Sequence, residues 1–137
     1  MSTREATPHQ GLSPLDDREC YRLLAAAHLG RVALSVAALP VILPVHFALL
    51  GRDPVFRTER GAKLRAASAG NVLCLEVDEV DPEGHTGWSV LVTGPAEVLT
   101  APEDLAVAST LPLSPWVGAG DAYVRIRATL VSGRRVG

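Results

Sequence analysis

Between Val32 and Leu50 lie nineteen residues that are almost all apolar, nearly enough to cross a bilayer as a helix. Ser35, Pro40, Pro44 and His46 interrupt the run at places no buried helix tolerates. Proline is accepted at the start or edge of a strand, so the stretch reads as two strands joined by a turn, with Leu39 and Pro40 leading into the second. A chain with such a hairpin near its start must bury two apolar strands, which commits it to a β-rich core. At 137 residues, with 47% hydrophobic and 20% charged side chains and a mean hydropathy of +0.20, it can bury one core unaided.

The remaining punctuation fills out that architecture. Ser13 as cap, Pro14 in the first turn and Asp16 at capping-box distance predict a helix over 13–27, with Leu15, Cys20, Leu23, Leu24 and Ala27 on one face. Gly30 ends it. Strands follow over 31–38, 41–50, 54–58, 71–80, 86–99 and 122–134, with short helices over 62–69 and 102–109. On the fifth of these strands Trp88, Val90 and Val92 share one face, and Ser89, Leu91 and Thr93 the other, with a bend at Gly94 and Pro95. Six strands with only short helices between them predict a mainly β, antiparallel barrel. Residues 1–12 form a polar, disordered tail and 13–137 the barrel domain.

Several function classes are disfavoured by composition. A net charge of −2 gives no general attraction to nucleic acid or to anionic lipid, and 4% aromatic residues leave little for base stacking. Cys20 and Cys74 lack metal-ligand spacing and read as free thiols in a reducing cytoplasm. Glu76, Asp78, Glu79 and Asp81 alternate between strand faces without a histidine, and read as a solvated edge. No signal core opens the chain, and the expected location is cytoplasmic.

The stretch that carries chemistry is VFRTERGAKL, residues 55–64. A strand end delivers Arg57, Thr58 and Arg60 to a turn at Gly61, and a helix begins with Lys63 in its first turn. Hydroxyl, cations and backbone N–H groups gathered in this way suit a phosphate. Lysine near a helix start is disfavoured by the dipole unless an anion answers it.

These segments in order, GRVALS, LPVILPVHF, VFRTERGAKL, LCLEVDEVD, TGWSVLVTGPAEVL and VRIRATLVSGRR, resemble the pyridoxamine 5′-phosphate oxidase-like flavin-binding split-barrel family, in its small actinobacterial-type branch. The resemblance spans Ser13 to Arg135. It implies a six-stranded split barrel, a homodimer, and flavin mononucleotide (FMN) in a groove between subunits, with a small molecule as substrate of an oxidoreductase. It places Leu43, Pro44, Val45 and His46 beside the flavin ring, and Arg57, Thr58 and Lys63 on the phosphate. It also places Trp88 and Ser89 near the cofactor, and Arg125 as a late arginine that closes the site. Leu43 stands where pyridoxamine phosphate oxidases proper carry arginine, which argues against vitamin oxidase activity. Two other readings fit the same groove: a deazaflavin-dependent reductase, or a non-enzymatic module binding flavin or, with no clear axial ligand, haem.

Overall fold

A computed structural model describes residues 12–59, 61–113 and 122–137. The disordered tail expected over 1–12 lies outside them except for Leu12, as do Arg60 and most of the connection 111–121. Eight strands and three helices follow in the order β1 (Leu12–Leu15), α1 (Asp17–Ala26), β2 (Leu29–Val36), β3 (Leu39–Leu50), β4 (Asp53–Thr58), α2 (Ala62–Ser68), β5 (Val72–Asp81), β6 (Thr86–Val98), α3 (Pro102–Ala108), β7 (Ala122–Ile126) and β8 (Leu130–Val136). All strand pairs are antiparallel, in the order β1-β8-β6-β5-β2-β3-β4-β7. A further β6–β7 pairing closes β2 to β7 into a six-stranded barrel, and β8 and β1 extend the sheet beyond it. No helix among the described residues is long and apolar enough to cross a membrane.

Three expectations need correction. The first helix does not begin at Ser13. Ser13 and Pro14 pair with Arg135 and Arg134 in β1, and Asp16 is the N-cap, its Oδ1 accepting the Glu19 N–H at 2.8 Å. A side chain that caps one residue before an acidic first turn outcompetes a serine whose backbone is already taken by a strand. The first hairpin turns at Ala37 and Ala38, both at positive φ (50° and 65°), and Leu39 and Pro40 already belong to β3. Such a turn matches strand twist but is ordinarily made by Asn or Gly. The last strand is two, because the chain bends at 127–129, where Asp53 Oδ1 accepts the Ala128 N–H at 2.9 Å.

Alternation puts Val45, Phe47, Phe56, Leu73, Leu75, Val90 and Val92 inside the barrel, all 2% exposed or less. Helix α1 plugs one end with Cys20, Leu23 and Leu24. A second cluster, Val55, Leu99, Ala108 and Leu113, lies outside β4, where α3 covers it.

Candidate functional site

The barrel is open where β4 leaves β3. Their pairing stops at Phe47 opposite Phe56. Extending the register would set Arg57 opposite His46 and Thr58 opposite Val45, but Arg57 and Thr58 pair only with Tyr123 and Ala122 of β7. Beyond Phe47, β3 therefore runs without β4 as a neighbour, and Leu43, Pro44, Val45 and His46 border the split. Val45 is buried with its side chain inside, so backbone is what it offers there, whereas Pro44 and His46 stand half-buried on the outer face. Leu43 packs against the core.

Across the split, Thr58 is the buried polar residue of the described chain, 4% exposed, its hydroxyl donating to the Glu59 carbonyl at 3.1 Å. Gly61 follows at φ 152°, and α2 begins without a side-chain cap. Lys63, in its first turn, sets its ammonium 5.9 Å from the Phe56 ring centroid. Burial pushes the Lys63 pKa down, against a smaller opposing pull from Glu59. A half-buried cation in the first turn of a helix that has no side-chain cap is suited to an anion. Arg57 points to the outer side of β4, where one guanidinium nitrogen donates to the Leu113 carbonyl at 3.2 Å and the group lies 5.7 Å from the Tyr123 ring.

Three expected residues stand apart from this group in a single chain. Arg125 sits on β7 opposite Val55, its Nε donating to Asp53 Oδ2 at 2.7 Å, with both side chains nearly buried. Ser89 faces outward from β6, three strand spacings from β3 through β5 and β2, or about 14 Å. Trp88 turns to the opposite face, packs on the core, and helps line a groove of about 550 Å³ between α1 and the β5–β6 hairpin, with His28 and Leu29. The residue that sequence reasoning missed is Asp53, which holds both Arg125 and the backbone of the β7–β8 bend. Its partners lie 72 and 75 positions away, beyond any local pattern. No group of three or more His, Cys, Asp or Glu among the described residues could hold a metal ion.

With this geometry in hand, comparison with known proteins is direct. The uncharacterized protein Rv0080 of Mycobacterium tuberculosis is 39% identical over 98% of this chain and 93% of its own. The FAD binding protein from Mycobacterium smegmatis superposes with a TM-score of 0.78 at 35% identity, covering 90% of this chain and 98% of that one. An FAD-binding protein from Mesorhizobium loti shares the fold with a TM-score of 0.76 at 24% identity, over 92% and 99% of the two chains. Residues 16–135 match the profile of the pyridoxamine 5′-phosphate oxidase family, and the chain belongs to that family.

Proposed function

We propose that the chain binds a flavin nucleotide, FMN in the first instance, at the split beside β3, and that it is a flavin-dependent oxidoreductase acting on a small molecule. The observation that carries this reading is the departure of β4 from β3, which ends at Thr58 and leads through Gly61 into α2, with the half-buried Lys63 in its first turn. Lys63 and Thr58 would hold the phosphate, and Pro44 and His46 would border the ring. When bound, the flavin supplies the redox chemistry. The protein's part is to bind and orient it. Lys63 would set its ammonium against the phosphate, Thr58 would offer a hydroxyl, and the apolar wall of β3 would exclude water from one side. Arg125 is held by Asp53 and supports the bend, so its contribution is to position rather than to touch.

Ser89 lies about 14 Å across the sheet from β3. A homodimer in which a second copy supplies Ser89 completes the groove. FAD in place of FMN is the second reading, favoured by the M. smegmatis relative, which binds FAD.

Titration with FMN, followed by fluorescence, tests the cradle. Lys63→Ala is expected to weaken binding about tenfold or more, the loss of one charge-assisted contact. Arg52→Ala, which removes a cation stacked on Tyr21 and paired with Asp17, is expected to change it less than about twofold. Equal affinities in the two variants would contradict the cradle.

A further inference from the structure

Between α1 and the β5–β6 hairpin lies a groove of about 550 Å³, within the range of about 300–1,000 Å³ in which proteins hold small molecules. Its floor is apolar: Leu23 and Val77 are buried, and Trp88 packs on the core. Its polar groups are not spent on the fold. Among the described residues the Glu79 carboxylate, the His28 ring and the Trp88 indole N–H have no hydrogen-bond or ion-pair partner, although all three residues line the groove. Glu79 is the direct cross-strand neighbour of Trp88, so carboxylate and aromatic ring stand side by side on one face of the hairpin.

We propose that this groove is a binding site for a small organic cation, a protonated amine on an apolar body, with the ammonium at Glu79 and the body against Trp88. Three observations select a cation. The nearby guanidinium groups are already committed: Arg22 meets Glu19 through two hydrogen bonds of 2.8 and 2.6 Å, Arg135 donates to the same carboxylate at 2.8 Å, and Arg31 holds Asp78 at 3.3 Å. Ala26 and Ala27, where α1 ends, also line the groove. That last turn holds no basic residue, so the negative end of the helix dipole is left for a ligand to answer. Asp78 adds a second carboxylate at the rim.

A metal ion does not suit the place. No group of three or more His, Cys, Asp or Glu among the described residues could hold one, and a bare ion leaves Leu23, Val77 and Trp88 unused. An amine on an aromatic or aliphatic body uses both halves of the groove. Burial of the body against Trp88 and Val77 supplies affinity, while the ammonium at Glu79, attracted also by the face of an indole ring, supplies selection. An anion of the same shape meets Glu79, Asp78 and the helix end with the wrong sign, and a neutral analogue leaves Glu79 unanswered. The site is separate from the proposed cofactor site, since none of Pro44, His46, Thr58 and Lys63 lines it.

Isothermal titration of the full chain with phenethylamine near neutral pH tests the site, with phenylpropionate and phenethyl alcohol as anionic and neutral analogues of the same body. One amine per chain is expected, with phenylpropionate bound about tenfold more weakly. Glu79→Gln, at an exposed position, should lower the affinity for the amine about fivefold and leave that for phenethyl alcohol unchanged, a split that a merely structural role for Glu79 would not give. Ala26→Lys, which sets a cation at the end of α1, should lower the amine affinity in the same way while circular dichroism stays unchanged. No saturable binding of phenethylamine, equal affinities for amine and carboxylate, or an amine affinity that survives Glu79→Gln would each overturn the proposal. Displacement of phenethylamine by FMN would overturn it too, since the amine would then lie in the split.

Discussion

Two outer faces of one barrel are treated differently by this chain. Outside β4 and β7, α3 with Leu111 and Leu113 packs over Val55, and Val55, Leu99, Ala108 and Leu113 are all 6% exposed or less. Outside β2, β3, β5, β6 and β8 nothing among the described residues covers Leu130, Val72 or Ile42. The ion clusters differ in the same sense. Under the covered face, Asp53 is shared by Arg125, Arg127 and a backbone N–H, one carboxylate with more donors than it needs. On the bare face two carboxylates share one nitrogen of Arg31, and both remain partly exposed to water. A polar cluster that is satisfied within the chain can be buried for good, whereas one whose carboxylates share a single donor is served by its contact with water.

The two faces meet at Gly94, and its replacement should have the largest effect. Strand β6 pairs with β8 through Thr93 and with β7 from Ala96, and a Cβ on Gly94 would lie 1.6 Å from the Arg127 carbonyl oxygen. Gly94→Ala is expected to cost about 3 kcal/mol or more in urea unfolding, since the obstacle is backbone and cannot rotate away. A cost below about 1 kcal/mol would show that the two halves of β6 are not held against the bend.

A smaller, paired effect separates the faces themselves. Val55→Ala should destabilise the chain by about 2 kcal/mol through lost burial and a cavity. Leu91→Ala, at a concentration where the chains are separate, should change stability by less than about 0.5 kcal/mol. Similar costs for the two would mean that the bare face is covered after all.

The smallest effect concerns pH. Because the folded-state pKa of Glu76 is raised to about 7 from 4.5, the folded chain holds a proton that the unfolded chain has released, and stability declines as pH rises through that window. Glu76→Gln should remove this decline and raise stability at pH 8 by about 1 kcal/mol, with little change near pH 4. A variant that loses stability at pH 8 would show that ionised Glu76 is well served by Arg31.

Much of the barrel was legible because alternation and turn chemistry are local. The apolar run over 32–50 gave its hairpin, and Leu73, Leu75 and Val77 alternate with Cys74, Glu76 and Asp78 as the structure has them. The turn was misplaced because Ala37 and Ala38 adopt a conformation that alanine seldom takes, imposed by the pairing on either side. The division of the last strand was hidden because its causes, Asp53 and Gly94, are distant in sequence. Thr58 ends β4 and Lys63 lies in the first turn of α2, the local positions that the strand-turn-helix pattern predicts. Arg125 was visible as a cation, but its pairing with Asp53 is a tertiary fact. The face on which Ser89 lies could be read, and its distance from β3 could not, since that depends on strand order.

The central claim is that the split beside β3 holds a flavin, and the visible absorption spectrum of the purified chain, taken after excess FMN has been added and the unbound fraction removed, tests it most directly. Retained bands near about 370 and 450 nm, at close to one flavin per chain, are the predicted result. A colourless protein after the same treatment would contradict it.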